Sequence, residues 1–341
     1  MKLFYNKTRK MWMFLAGMSA LILFSCNSEA RYDRSTGRTN EILIVTNTKA
    51  QWKGGIGFIV RDVFEQPLAG LPQPEPMFHL FNVANKDFNK VFKAQHNILI
   101  IDINSSFTEP LVETRSDHWT KPQRVIKITA PDTASFRKVF EEHSTAFLDA
   151  FCALEIERTN VQFEMARSVK LINILEKQFG FSMQVPGGFV VAARDNNFMW
   201  LRQNMQRVKQ DVELGIIIHE KPYTDTSAFN EEMILTLRDS LTSKFIPGPS
   251  AGSYMILSRG FIDPVFKRTD DFVTGFAVET RGIWMVQNDF MGGPFISYTF
   301  VDPDLERVIT VDGYVYNPGD LKRNFIRQME AIFHTIDFKT D

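Results

Sequence analysis

The feature that most limits this chain is a change of hydrophobic period part-way along it. Up to about residue 130, apolar runs of strand length alternate with stretches of helical period. "EILIVTN" (41–47), "MFHLFNV" (77–83), "NILIIDI" (97–103) and "RVIKITA" (124–130) read as strands. Between them, "IGFIVRDVF" (56–64) sets Ile56, Ile59, Val60 and Val63 on one helical face, and "KDFNKVFK" (86–93) reads as a short helix. Such alternation lays helices over a layered, largely parallel sheet. Beyond Phe179 the strands follow one another: "GFSMQVP", "GGFVVAARDN", "NFMWLRQN" and "VELGIIIHE". A helix at 227–244, with apolar Met233, Leu237 and Leu241, precedes "SYMILSR", "FVTGFAVETRGIWMVQN", "GPFISYTFVD" and "RVITVDGYVYN". A closing helix uses Leu321, Phe325, Met329 and Ile332. Strands in direct succession pair antiparallel. The expected fold class is therefore α+β: an N-terminal α/β layered domain, a helical segment, and a C-terminal antiparallel sheet with packed helices.

The helical segment runs over 133–179. Phe136, Val139, Phe140, His143, Phe147 and Phe151 keep one face; Val161, Met165, Val169, Ile172 and Leu175 keep another. A single rod of that length would outrun a domain, so a break is expected near Thr159 and Asn160, with Gly180 as the C-terminal cap. "LAGLPQPEPM" (68–77), rich in proline, reads as an extended loop. A length of 341 residues fits about two domains, placed at 41–178 and 179–341. The 31 Phe point to cores built on phenylalanine.

The start of the chain is of another kind. Lys2, Lys7, Arg9 and Lys10 precede "MWMFLAGMSALILF" (11–24), which carries no charge. That is the pattern of a secretory signal peptide over 1–25, too short to span the roughly 20 apolar residues a bilayer needs. Leu23-Phe24-Ser25-Cys26 resembles the bacterial lipobox, which implies cleavage before Cys26 and a lipid on its thiol. Residues 26–40 are polar and aperiodic and read as a tether. Cys152, in "AFLDAFCALE", reads as a small core residue. The four cations before Cys26 meet no acid, so the formal charge of -1 becomes -5 once they are removed. A mildly acidic chain lacks the footprint of a nucleic-acid binder.

Four stretches, "GRTNEILIV", "LPQPEP", "ETRGIWMVQNDFMGGPFISY" and "DGYVYNPGDLKRNFIRQMEAI", together with the lipobox, resemble a family of Bacteroidota lipoproteins known only as domain of unknown function 4837. The resemblance covers nearly the whole mature chain and brings no catalytic residues with it. In order of elements, the second half is similar to PsbP-like lumenal domains.

Chemistry-bearing motifs are sparse. "WKGGIG" (52–57) lacks the spacing of a nucleotide loop and reads as a tight turn. The six histidines are scattered, and none pairs at metal spacing. No GxSxG elbow is present. The unusual stretch is the hairpin at 281–298, where Arg281, Trp284, Asp289, Phe290 and Met291 are of the types that anchor interfaces; they form the candidate contact surface. The chain is expected to be a lipid-anchored envelope protein acting as a binding or interaction module without metal or cofactor. It would face the periplasm from the outer membrane and meet an envelope protein partner. An envelope hydrolase or an outer-membrane assembly factor is the alternative.

Overall fold

The computed structural model describes residues 32–207, 211–302 and 304–338. The signal peptide at 1–25, Cys26 and the first part of the tether lie outside the described residues.

In the first half the apolar runs become strands β1 (Glu41–Thr46), β2 (His79–Ala84), β3 (Asn97–Ile103) and β5 (Arg124–Ala130), joined by β4 (Leu111–Ser116), which the polar "LVETRS" concealed. Helices α1 (Lys49–Lys53), α2 (Gly55–Phe64) and α3 (Lys90–Lys93) fall between them. The sheet order is β2-β1-β3-β5-β4, parallel except for the β4 edge. One sheet face, with Ile42, Ile44, Leu99, Ile101, Ile126 and Ile128, packs on α2 and on the phenylalanines of the long helix that follows β5. Gly57 is needed at the entry to α2, because a Cβ there would stand 1.8 Å from the Trp52 carbonyl oxygen. The "WKGGIG" stretch, expected as a tight turn, is instead the joint between α1 and α2, with Gly54 alone between the two helices.

Residues 34–40, expected in the tether, belong to the fold. Thr36 N donates to Ala94 O at 2.7 Å, and His96 N donates to Thr36 O at 3.0 Å. The His96 ring is fully buried, with Nδ1 2.7 Å from Thr36 O and Nε2 2.8 Å from Glu155 Oε1. Both ring nitrogens thus face acceptors. Polarity concealed this segment, since it pairs only through short pieces, Asp33–Arg34 with Thr120–Lys121 and Thr36 with Gln95, too brief to show a period.

The long helix, α4 (Thr133–Ala166), is unbroken at Thr159, whose Oγ1 donates to Glu155 O at 2.8 Å and so satisfies its hydroxyl within the helix. The break falls at Arg167, in extended conformation, and Ser168 caps α5 (Val169–Phe179) by accepting from Leu171 N. At 34 residues α4 runs beyond the core, leaving Val161 and Met165 exposed. Gly180, at φ 71°, ends α5 as expected.

The second half is built of β6 (Phe181–Ser182), β7 (Val190–Asp195), β8 (Phe198–Met205), β9 (Val212–Pro222), α6 (Glu231–Phe245), β10 (Tyr254–Leu257), β11 (Val265–Phe272), β12 (Gly275–Gln287), β13 (Gly292–Asp302), β14 (Arg307–Tyr316), α7 (Arg323–Phe333) and β15 (Asp337–Phe338). Eight strands form one antiparallel sheet in the order β10-β12-β13-β14-β9-β8-β7, with β11 also on β12. Its two faces pack on α5 with α7 and on α6, respectively. In α6 the buried face is Ile234, Leu235, Arg238 and Thr242, not Met233, which is exposed.

The contacts of the described residues from Arg34 onward gather into one compact unit. Leu68 and Leu71 of the proline-rich loop enter the core of the second half. Glu75 accepts from Lys322 N at 2.7 Å and from Arg323 N at 2.9 Å, capping α7 across the chain.

His219, on β9, carries a pH dependence. Burial above all, with Lys221, lowers its pKa to about 4. The unfolded chain takes that proton near the ordinary value of 6.5. The contribution of His219 is therefore complete above that pH and is lost as the pH falls toward 4, by roughly 3 kcal/mol at most. Urea unfolding midpoints measured between pH 7 and 4 should fall less steeply for His219→Gln. Parallel curves for variant and wild type would contradict it.

Candidate functional site

The chain reverses its direction of winding between β1 and β3, which carry neighbours added on opposite sides. At such a switch point, ligands of open parallel sheets settle near the carboxyl ends of the strands. Here the sheet face away from α2 and α4 is covered only in part, because the β2–β3 crossover supplies just the four-residue α3. Phe88, Phe92 and Trp119 roof one part of that face. The remainder is a cleft of about 390 Å³ floored by Val45, Ile100 and Val125.

Charged groups of both signs border this floor. Asp102 and Lys127 interrupt otherwise apolar strands and point to the same face; Glu113 lies directly opposite Lys127 in the β4–β5 register. Asn47 Nδ2 donates to Asp102 Oδ1 at 2.7 Å while its own Oδ1 accepts from Ile103 N at 2.8 Å, so the carboxylate is held in place. At the far end Lys93 Nζ stands 5.3 Å from the Trp119 ring centre and 5.8 Å from that of Phe88, a cation over two aromatic faces. His118 packs on Trp119 at 4.3 Å; slight burial, then Arg115 and Lys93, lower its pKa. The cleft therefore presents, on one face, the held carboxylate of Asp102 and the ammonium of Lys127, diagonal neighbours in the β3–β5 register, beside an apolar floor. None of Asn47, Asp102, Lys127 or Lys93 was singled out by sequence reasoning. The available signal was a charge inside "NILIIDI" and another inside "RVIKITA".

The five hairpin residues do not form one surface. Arg281 is buried, bonded to Glu279 and, at 3.0 Å, to Glu330. Trp284 is buried as well, edge-to-face with Tyr314 at 5.3 Å. Apolar strand positions on both sides of β12 draw these side chains inward. Asp289 accepts from Ser250 Oγ and from Phe290 N, and those bonds, the first above all, lower its pKa. Phe290 stands fully exposed at the tip, and Met291 lines a cavity beside it. Cys152 is half-buried, and its thiol receives Arg327 Nη2 at 3.3 Å. Among the described residues no group of three or more His, Cys, Asp or Glu side chains is placed to hold a metal ion, and no helix is long and apolar enough to cross a membrane.

Residues 168–335 match the model of the family described as Domain of unknown function (DUF4837). That stretch is a DUF4837 domain. Residues 35–164 match a second model, Domain of unknown function (DUF8532). No curated protein matches the chain. Among solved structures, the Ran-binding protein Mog1p of Saccharomyces cerevisiae is similar over 47% of this chain and 90% of its own, at 9% identity and a TM-score of 0.31. A likeness that slight bears on neither fold nor partner.

The stretches that carried the family resemblance meet where the DUF4837 domain joins the first half. Asn40 Nδ2 donates to Asn324 Oδ1 at 3.0 Å, Glu75 caps α7, Arg327 Nη2 reaches the Cys152 thiol at 3.3 Å, and Gly70 of the proline-rich loop lies against Arg281. These motifs hold the two halves together, and the cleft lies elsewhere.

Proposed function

We propose that this protein is a lipid-anchored binding module of the cell envelope, tied to a membrane through Cys26, which holds in the cleft a small ligand bearing charges of both signs. The observation that carries the binding reading is the cleft itself: a half-covered parallel sheet at its switch point, with a fixed carboxylate and a lysine on neighbouring strands beside an apolar floor. The one close histidine–carboxylate contact among the described residues, His96 with Glu155, is buried and occupied in holding residues 34–40. For the anchor, the support is the basic start, the short apolar run and Cys26. With Asn27, Ser28, Glu29 and Ala30 following it, one acid among the four, the periplasmic leaflet of the outer membrane is the proposed location.

Calorimetric titration with a panel of free amino acids and dipeptides tests the binding reading. At least one zwitterion should bind, and Asp102→Asn and Lys127→Gln should each weaken it tenfold or more, since a hydrogen bond to a charged group is worth about 1.5–3 kcal/mol. Failure of the whole panel at millimolar concentration, or affinity unchanged in both variants, would contradict it.

A further inference from the structure

The fold begins closer to Cys26 than the polar sequence of residues 26–40 suggests. Asp33–Arg34 pairs with Thr120–Lys121, Ser35 N donates to Lys121 O at 3.2 Å, and Thr36 N donates to Ala94 O at 2.7 Å. Only seven residues, 27–33, separate Cys26 from Arg34. A chain gains at most about 3.5 Å per residue, so by any path Arg34 lies within about 30 Å of Cys26. A fold of about 300 residues is about 50 Å across. A tether shorter than the fold is wide biases the side carrying Arg34 toward the bilayer that holds the lipid.

A second, independent observation is the chemistry of that side. Arg34 and Lys121 are exposed, as is Lys90 on α3, the helix whose end receives Thr36 N through Ala94. Val91, next on α3, is 73% exposed. Residues 33–38, 86–95 and 119–121 together hold six cations and two acids, in a chain whose balance after Cys26 is acidic. Asp117, beside them, offsets Lys121 at 3.6 Å. Cations grouped around an exposed apolar side chain suit a surface of anionic headgroups, where the charges meet phosphates and the apolar group enters the acyl boundary.

We infer that the face formed by Arg34, Lys90, Val91 and Lys121 rests on the membrane, its partner a bilayer bearing anionic phospholipid headgroups. This rests on the anchor at Cys26 proposed above: the lipid supplies retention, and the basic face sets the orientation. Each cation facing such a surface strengthens the contact about fivefold. Lys93 and Trp119, which adjoin this face, also line the cleft, so the cleft borders the membrane-facing side.

The test uses the full chain, purified as the lipoprotein and reconstituted in phosphatidylcholine vesicles containing phosphatidylglycerol. A dye is clicked to an azide-bearing amino acid placed at Val91 or, for comparison, at Phe290, the exposed apolar tip of the other sheet. A bilayer that took up any apolar side chain would meet Phe290 as readily. Nitroxide-labelled headgroups should quench the dye at 91 at least fivefold more strongly than the dye at 290. The triple variant Arg34→Gln, Lys90→Gln, Lys121→Gln should still float with the vesicles, with quenching at 91 lowered to that at 290. Equal quenching at the two positions in the wild type, or quenching at 91 unchanged in the triple variant, would overturn the inference. Failure of the anchor itself reads differently: the purified chain then carries no acyl group and does not float. In that case the chain from Cys26 onward, coupled through that thiol to a maleimide lipid, supplies the tether, and the same comparison of positions 91 and 290 decides. Cys152, half-buried and with its pKa pushed up by burial, competes little for that coupling.

Discussion

Replacing Glu330 with alanine is expected to lower the stability of the chain by about 3–5 kcal/mol, the cost of leaving buried charge without its partner. Glu330 is buried between Arg281 and Arg327, which reach its two oxygens at 3.0 and 2.8 Å. Burial alone would raise its pKa, but Arg327 and Arg281 outweigh it and hold the carboxyl well below the ordinary range. Removing the carboxylate leaves Arg327 facing only the Cys152 thiol and Arg281 facing only Glu279. Glu330→Gln keeps the shape without the charge and should fall between wild type and alanine. Because Arg281 lies on β12 while α7 packs on α4, the loss should appear as one cooperative transition moved down by roughly 10 °C. A shift near zero would show that the two arginines find water when the carboxylate is gone. A separate early transition of one half would show that residues 34–341 do not melt as one unit.

The sheets could be read from the sequence because their strands are apolar and their period is 2. "NILIIDI" and "RVIKITA" are the central strands β3 and β5, and the direct succession of strands after Phe179 is the antiparallel sheet. Gly180 closes α5 because that position needs a left-handed backbone. The joint between the halves could not be read, since its partners are far apart along the chain: Glu75 and Arg323 are separated by 248 residues. A carboxylate in a proline-rich loop gives no sign that it caps a distant helix. The place of the helix break was hidden for a local reason, as Thr159 can bond back to Glu155 and Ser168 can cap. Arg281 and Trp284 were misplaced because residue type alone does not tell an interface anchor from a buried one. Asp102 and Lys127 were legible in principle, as charges in strands that a parallel sheet buries; what makes them a site is the shortness of α3, which only the packing reveals.

Loss of the anchor should have the other large effect. A thioether-linked diacylglycerol places two acyl chains in the bilayer, at about 0.8 kcal/mol per buried CH₂, which is enough for firm retention where one chain binds reversibly. Cys152, the other cysteine of the chain, is bonded by Arg327 and burial raises its pKa, so it is a poor competitor for alkylation. The measurement that bears most directly on a membrane-held module is metabolic labelling with an alkyne fatty acid, followed by detection on the purified chain. The wild type should carry the label and Cys26→Ala should carry none. Equal labelling of the two would contradict the anchor, and with it the placement of this binding module at the envelope.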